Sequence, residues 1–512
     1  MRQLIVRMAA VGAAGVLLLP GAASAAVDPP VVVSVPSPYP ANCNGAPQTG
    51  TNYSHSEVEP FVAVNPAQPR NRIAVWQQDR WSTGGANGVL ARVSFDGGAI
   101  WQASVSPPFS RCAGGSPRNG GDYERATDPW VTASPAGDAY FMALAFNNSN
   151  TTNAMLVARS RDGGRRWGPI TTLIKDAGPA FNDKNSMTAD PLDSRYVYAV
   201  WTRGFTDAGD EFFGSTYFTR TTDGGATWEP ARSIYDPGPG GLATGNLVAV
   251  LPDGTLLNLF TEFRPGTSGN LAVLRSTDKG QTWTGPFYID GLGTVGVIDP
   301  RDGAPVRSGD ILPDIAVDLR PGHDEVYVVW QDARFTGYQN DSIVAASSRD
   351  GGRHWTAPKR ISPSESGQAF TGSVHVNSAG VLGVTYYDFT HDSAADEPLV
   401  TDYWIVRSRD GGATFDQRER MTPASFDMRQ APVAGGFFLG DYTGLDSAGD
   451  QFQSLHAVTT PDAPGDPTDM HAQHATGVTI GAGNTDERIR MQPSSNRPRP
   501  VITLDSGLVT RH

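Results

Sequence analysis

Acidic, basic and phenolic side chains recur at matched places along this chain of 512 residues. Glu59, Asp128, Lys184, Asp314 and the pair Asp441-Tyr442 stand at the starts of apolar, strand-like stretches. Asp79-Arg80, Arg203, Glu262 with Arg264, Asp332 with Arg334, and Tyr386-Tyr387-Asp388 stand where other such stretches end. Three arginines keep one phase: Arg80 comes four after Trp76, Arg264 four after Phe260 and Arg334 four after Trp330. Guanidiniums gathered around one axis make a receptor for a carboxylate, because each offers a planar fork of donors. The same spacing also allows each arginine to pair with its neighbouring acid, Asp79, Glu262 or Asp332. The carboxyls permit glycoside chemistry. One raised in pKa by partial burial can protonate a leaving glycosidic oxygen while a second group stabilises or attacks the anomeric carbon.

Whether these groups meet depends on what repeats. Six octets fit S/T-x-D-x-G-x-x-W/F, starting at Ser94, Ser160, Thr221, Ser276, Ser348 and Ser408, with successive copies 55 to 72 residues apart. A short Asp folds back on backbone N–H groups, Gly supplies positive φ, and the closing aromatic buries itself, so each octet reads as a tight turn in a repeated unit. Around each turn lie four short strands, and several second strands, such as AYFMALAF and EVYVVW, are nearly all apolar, as strands buried on both faces are. After the sixth octet, FFLGDYTGLDSAGDQFQSLHAV and HATGVTI supply three strands of a further unit. Val31 to Val35 can supply its fourth, closing a ring without free sheet edges. The expected fold is all-β, a β-propeller of four-stranded blades, seven by this count with six as the alternative. The long connection from Asp290 to Gly309 can reach over the ring mouth or lie as a surface excursion.

The octets are similar to the Asp boxes of the sialidase (neuraminidase) superfamily, and the chain resembles that family over about residues 55 to 480. The resemblance implies that the boxes mark the outer rim and that catalysis lies at the other end of each blade. ATDPWVTASPAGDAYF resembles the segment carrying the family's acid/base aspartate, which falls on Asp128; DYTGLDSAGDQF resembles the stretch with the nucleophilic tyrosine, which falls on Tyr442. The family's first arginine falls near Glu59, where an acid stands, and its fourth-blade glutamate falls near Thr244 or Gly245, leaving Glu262 to substitute. Arg80, Arg264 and Arg334 would then hold an anionic sugar, with Glu59, Asp441 and Tyr387 beside it. The implied activity is exo-acting glycoside hydrolysis. The departures keep a polysaccharide lyase and a non-catalytic glycan- or protein-binding propeller open.

Residues 1–25 read as a secretory signal: Arg2 and Arg7, an apolar stretch from Val11 to Leu19, then Ala23-Ser24-Ala25. Residues 26–480 form the propeller, and 481–512 a polar, Pro-rich tail. A net charge of -13 argues against nucleic acid or an anionic membrane as partner. No stretch suits a membrane span. The two cysteines, Cys43 and Cys112, are expected to pair in an oxidising compartment. His471 and His474 are three apart, on opposite faces of a strand, so no metal is expected, and no organic cofactor. The expectation is a secreted monomer acting on a glycan.

Overall fold

A computed structural model describes residues 27–477 apart from 207–211, 364–366, 394, 396, 417 and 461–466. The signal segment and the tail expected from the sequence lie outside the described residues.

Among the described residues the regular structure is strand apart from two 3-10 turns, arranged as seven antiparallel units of four. Unit 1 comprises Asn52–Val64, Arg72–Trp81, Ala86–Ser94 and Gln102–Ala103. Unit 2 comprises Arg125–Ala133, Ala139–Phe146, Asn153–Ser160 and Thr171–Asp176. Unit 3 runs through Ala180–Ala189, Val197–Thr206, Phe212–Thr221 and Arg232–Tyr235. Unit 4 holds Leu242–Val250, Leu256–Phe263, Asn270–Ser276 and Thr284–Gly291. Asp314–Val317, Val326–Asp332, Ser342–Ser348 and Lys359–Arg360 make unit 5. Ala369–Val376, Leu382–Asp388, Val400–Ser408 and Glu419–Arg420 make unit 6. Unit 7 pairs Gly444–Ala448, Gln451–Thr459 and Thr468–Thr476 with Val31–Val32 from the other end of the chain, Val31 opposite Ala472. The first strand of each unit packs on that of the next, and the seventh packs on the first, a propeller-like ring.

The octets explain how each unit turns. In all six, the Ser or Thr hydroxyl accepts from the glycine N–H four residues on, and the Asp accepts from the backbone N–H four residues after itself. In the third octet, hydrogen bonds from the Thr227 side chain and backbone hold the Asp223 carboxyl down to about 2. Second strands fill the space between neighbouring sheets: Ala139–Phe146 is buried throughout, and Trp76, Trp201 and Trp330 are fully enclosed. Cys43 and Cys112 form a disulfide.

A three-stranded element lies outside the repeat. The connection after unit 4 returns through Val297–Ile298 and Pro305–Arg307, and the latter pairs in parallel with Phe437–Phe438, which leads into unit 7. This three-stranded strap, built from two long connections, positions residues over the hub of the ring. Its outer edge is tied down by Arg301 to Asp392 at 2.5 Å and Arg429 to Asp302 at 2.9 Å.

Candidate active site

Each first strand except those of units 5 and 7 carries a break in register near its start, and the residue at the break is left-handed. These residues are Glu59 (φ 54°), Asp128 (φ 52°), Lys184 (φ 52°), Gly245 (φ 67°) and Thr371 (φ 50°). A bulge leaves one residue unpaired and re-aims its side chain, and a non-glycine residue in this region costs roughly 1–3 kcal/mol. Four of the five positions bear that strain. The side chains so aimed interact: Glu59, Asp128 and Lys184, from three units, feel one another's charge and that of Asp441.

The cluster is dense and buried. Glu59 and Arg80 have no exposed surface and Asp128 has 1%. Arg307 enters from the strap and binds Asp441 twice, Nε to Oδ1 at 2.9 Å and Nη2 to Oδ2 at 2.5 Å, while Lys184 Nζ donates to the same carboxylate. Burial opposes the charge on Asp441, but Arg307 and then Lys184 hold its carboxyl well below the usual range. The Phe438 ring lies beneath both guanidiniums, 4.8 Å from Arg80 and 4.6 Å from Arg307. Gly440 brings the backbone against Glu59; a Cβ there would sit 2.9 Å from the Glu59 Cα, at φ 144°.

Glu59 is pushed up to about 8, by burial first and then by Asp128 and Asp441, against the pull of Lys184 and Arg80. Its Oε2 accepts from Gln77, whose amide also donates to Thr127 Oγ1 at 2.7 Å; Thr127 in turn donates to Asp128 Oδ1 at 2.8 Å. Gln77 Oε1 accepts from Arg80 Nη1 at 2.8 Å. One glutamine therefore joins the acid, the second carboxylate and the arginine. What remains is open: Glu59 Oε1, Asp128 Oδ2, Arg80 Nε and Nη2, and Asn185 Oδ1 are buried with no hydrogen-bond partner. Buried polar atoms are nearly always satisfied, so this concentration marks a place that bound water or a polar ligand would complete. A cavity of about 50 Å³ on the axis touches Trp130, Lys184, Asn185, Asp441 and Tyr442.

Tyr442 lies at this hub. Its hydroxyl donates to Pro129 O at 3.2 Å and its ring leans on Trp130 with centroids 5.3 Å apart. Burial first, then Glu59, Asp128 and Asp441, push the phenol well above its ordinary range. The site therefore favours a neutral phenol over a phenolate.

The expected ring of three arginines is corrected. Arg80 reaches the hub and binds Gln77, while Asp79 is occupied by Ser37, His55 and Asn87. Arg264 pairs with Glu262 at 2.9 Å within its own unit, and Arg334 pairs with Asp332 at 2.7 Å and reaches across to Asp290 of unit 4 at 3.2 Å. Spacing repeats with the blade, but a guanidinium takes the acid two residues away, which costs less ordering than reaching the axis. Glu262 is likewise committed. Burial would raise its carboxyl, but hydrogen bonds from Arg264, Tyr235 and Tyr288 outweigh that and hold it below the usual range. Tyr387 donates to Ala457 O at 2.8 Å and accepts from Ala457 N at 3.0 Å, stapling units 6 and 7. The structure thus gathers Glu59, Arg80, Asp128, Asp441 and Tyr442, and leaves Glu262, Arg264, Arg334 and Tyr387 apart. Arg307, Gln77, Thr127 and Asn185 are hub residues that the sequence did not single out; the one signal for Arg307 was its place in the long Asp290–Gly309 connection.

Among the described residues Asp318, His323 and Glu325 bring possible metal-ligand atoms within 4.8 Å of one another. Arg320 already donates to both Asp318 oxygens, at 2.9 and 2.6 Å. No described helix is long and apolar enough to cross a membrane.

No family model matches the chain. It is 27% identical over 233 residues to a xyloglucanase from Paenibacillus sp, a stretch covering 43% of this chain and 21% of that protein. The chain thus spans about a fifth of that relative's length. Solved structures similar to it include Hadza microbial sialidase Hz136, at TM-score 0.46 and 15% identity over 80% of this chain and 74% of that one. The GH93 α-L-arabinofuranosidase of Fusarium graminearum aligns at TM-score 0.42 and 12% identity, over 87% and 97%. Likenesses this distant decide nothing here; the fold rests on the strand pairing itself.

Proposed function

We propose that the chain is a secreted glycoside hydrolase, built as a seven-bladed propeller, that cleaves an anionic sugar at its hub. The observation that carries the reading is the meeting of Glu59, Asp128 and Arg80, all buried and each with polar atoms unmet, one of them a carboxyl that stays protonated near neutrality. Glu59 would give its proton to the leaving glycosidic oxygen. Asp128 would stabilise charge at the anomeric carbon or attack it, and water completes the hydrolysis. The free Nε–Nη2 edge of Arg80 suits a planar carboxylate on the substrate. Tyr442, its proton retained, would form a wall beside the sugar. The likeness to a xyloglucanase supports a glycan as the class of substrate.

One observation favours a second reading, a propeller that binds a glycan away from the hub without turnover: Glu59 and Arg80 are fully covered. Screening the protein against fluorogenic glycosides, sialosides and uronides included, separates the two. Released fluorophore supports the hydrolase, whereas saturable glycan binding without product supports the platform.

A further inference from the structure

Where the strap leaves unit 4 and where it returns to unit 5, two residues meet one buried carboxyl. Thr294 lies on the outgoing stem and Asp310 on the returning one, and both face Asp341, which stands just before the third strand of unit 5. Thr294 Oγ1 is 2.5 Å from Asp341 Oδ2 and 3.1 Å from Asp310 Oδ2. Asp341 is fully enclosed and Asp310 is 9% exposed.

The remaining bonds fix where protons must be. Asp341 Oδ1 accepts from Val295 N at 2.9 Å, and its Oδ2 also accepts from Gln331 Nε2 at 3.1 Å. Gln331 cannot turn round, because its oxygen accepts from Thr371 N at 2.9 Å. Thr294 Oγ1 accepts from Gly296 N at 3.2 Å. The row Asp310–Thr294–Asp341 contains two contacts between oxygens, and each needs a proton. A threonine hydroxyl has one to give. The second must sit on a carboxyl.

We propose that the strap is latched over the hub by a proton held within the Asp310–Thr294–Asp341 row, and that losing this proton loosens both stems. Two bare carboxylates on one hydroxyl would repel each other in a buried site, and each belongs to a different side of the junction. The charged groups that face the pair add no relief. Asp441 is on the hub side, already balanced by Arg307 and Lys184, and Asp332, closed by Arg334, lies against Gly293. Burial first, and then the neighbouring Asp310, push Asp341 up to about 7; burial and then Asp441 push Asp310 up as well. Both folded values are raised, so the latch is present in acid and fades as pH rises toward neutrality. Arg307, carried between the stems, would then lose its fixed position against Asp441. The latch belongs to the strap and does not depend on what the hub does.

Hydrogen exchange over residues 292–311, corrected for the intrinsic effect of pH, tests it at pH 5 and pH 8. Protection in the native protein should fall by about tenfold or more between the two. Asp310→Asn supplies a permanent N–H to Thr294 Oγ1 and should keep its acid-side protection at pH 8. Thr294→Val removes the bridge and should be poorly protected already at pH 5. Equal protection of the native strap at both pH values, or the same fall in Asp310→Asn, would overturn the latch.

Discussion

Arg307 and Asp441 join the strap to the last unit through a two-point bond at 2.9 and 2.5 Å, and Lys184 shares the same carboxylate. Two cations from different parts of the chain therefore share one carboxylate that is 5% exposed. Asp441→Asn would take away the carboxylate that both cations bond and leave only the more distant acids around them, and a loss of about 3–5 kcal/mol is expected. The sign with pH follows from the lowered folded pKa of Asp441. Its contribution is complete above the unfolded value and is lost as pH falls through the folded one, so the gap between variant and native protein should close only in strong acid. Denaturant midpoints measured from neutral pH downward check this.

Glu59 gives the opposite slope. Its folded value is raised from 4.5 to about 8, so its contribution is fully present below the unfolded value and lost as pH climbs through 8. Glu59→Gln keeps the shape and removes the proton. The variant should therefore lose less stability than the native protein between pH 5 and pH 8.5, by an amount of order a few kcal/mol. Parallel urea midpoints at the two pH values would speak against a protonated Glu59.

Asp128→Asn retains the acceptor for Thr127 and removes the charge. Turnover should vanish while the melting temperature moves by no more than about one to two degrees. Retained turnover would take the catalytic role away from Asp128.

The octets lie apart from this chemistry. In Asp162→Ala the hydrogen bond from Arg166 N at 3.0 Å and that from Ser160 Oγ at 2.9 Å are both lost. The expected cost is about 1–2 kcal/mol, with kcat/KM unchanged. A kinetic defect without a fall in stability would contradict the assignment of the octets to turns.

Much of this architecture was legible because it repeats. The octets announce their turns, since only Asp and Gly at those offsets serve the backbone, and the apolar second strands follow from burial on both faces. Val31 and Val32, far from Ala472 in sequence, were readable as the closing strand because the last unit lacked one. The hub was half legible. Glu59, Asp128 and Asp441-Tyr442 are placed by strand starts, which alignment of repeats reveals. Arg307 is brought by a connection with no counterpart in other units, so no periodicity points to it. Arg264 and Arg334 show the converse: identical phase told nothing about partners, because each acid two residues away was within reach. Most of the left-handed bulges were also silent: Gly245 and Asp128 are residue types that suit positive φ, but Glu59, Lys184 and Thr371 give no such signal.

The claim that the enclosed Glu59 delivers a proton to a glycosidic oxygen is tested most directly by glycoside release from the native protein and from Glu59→Gln, measured from pH 5 to pH 9 on a panel that includes anionic sugars. The account predicts release by the native protein that declines as pH passes about 8, and none by the variant. Undiminished release by Glu59→Gln, or binding of glycans by the native protein without any product, would contradict it.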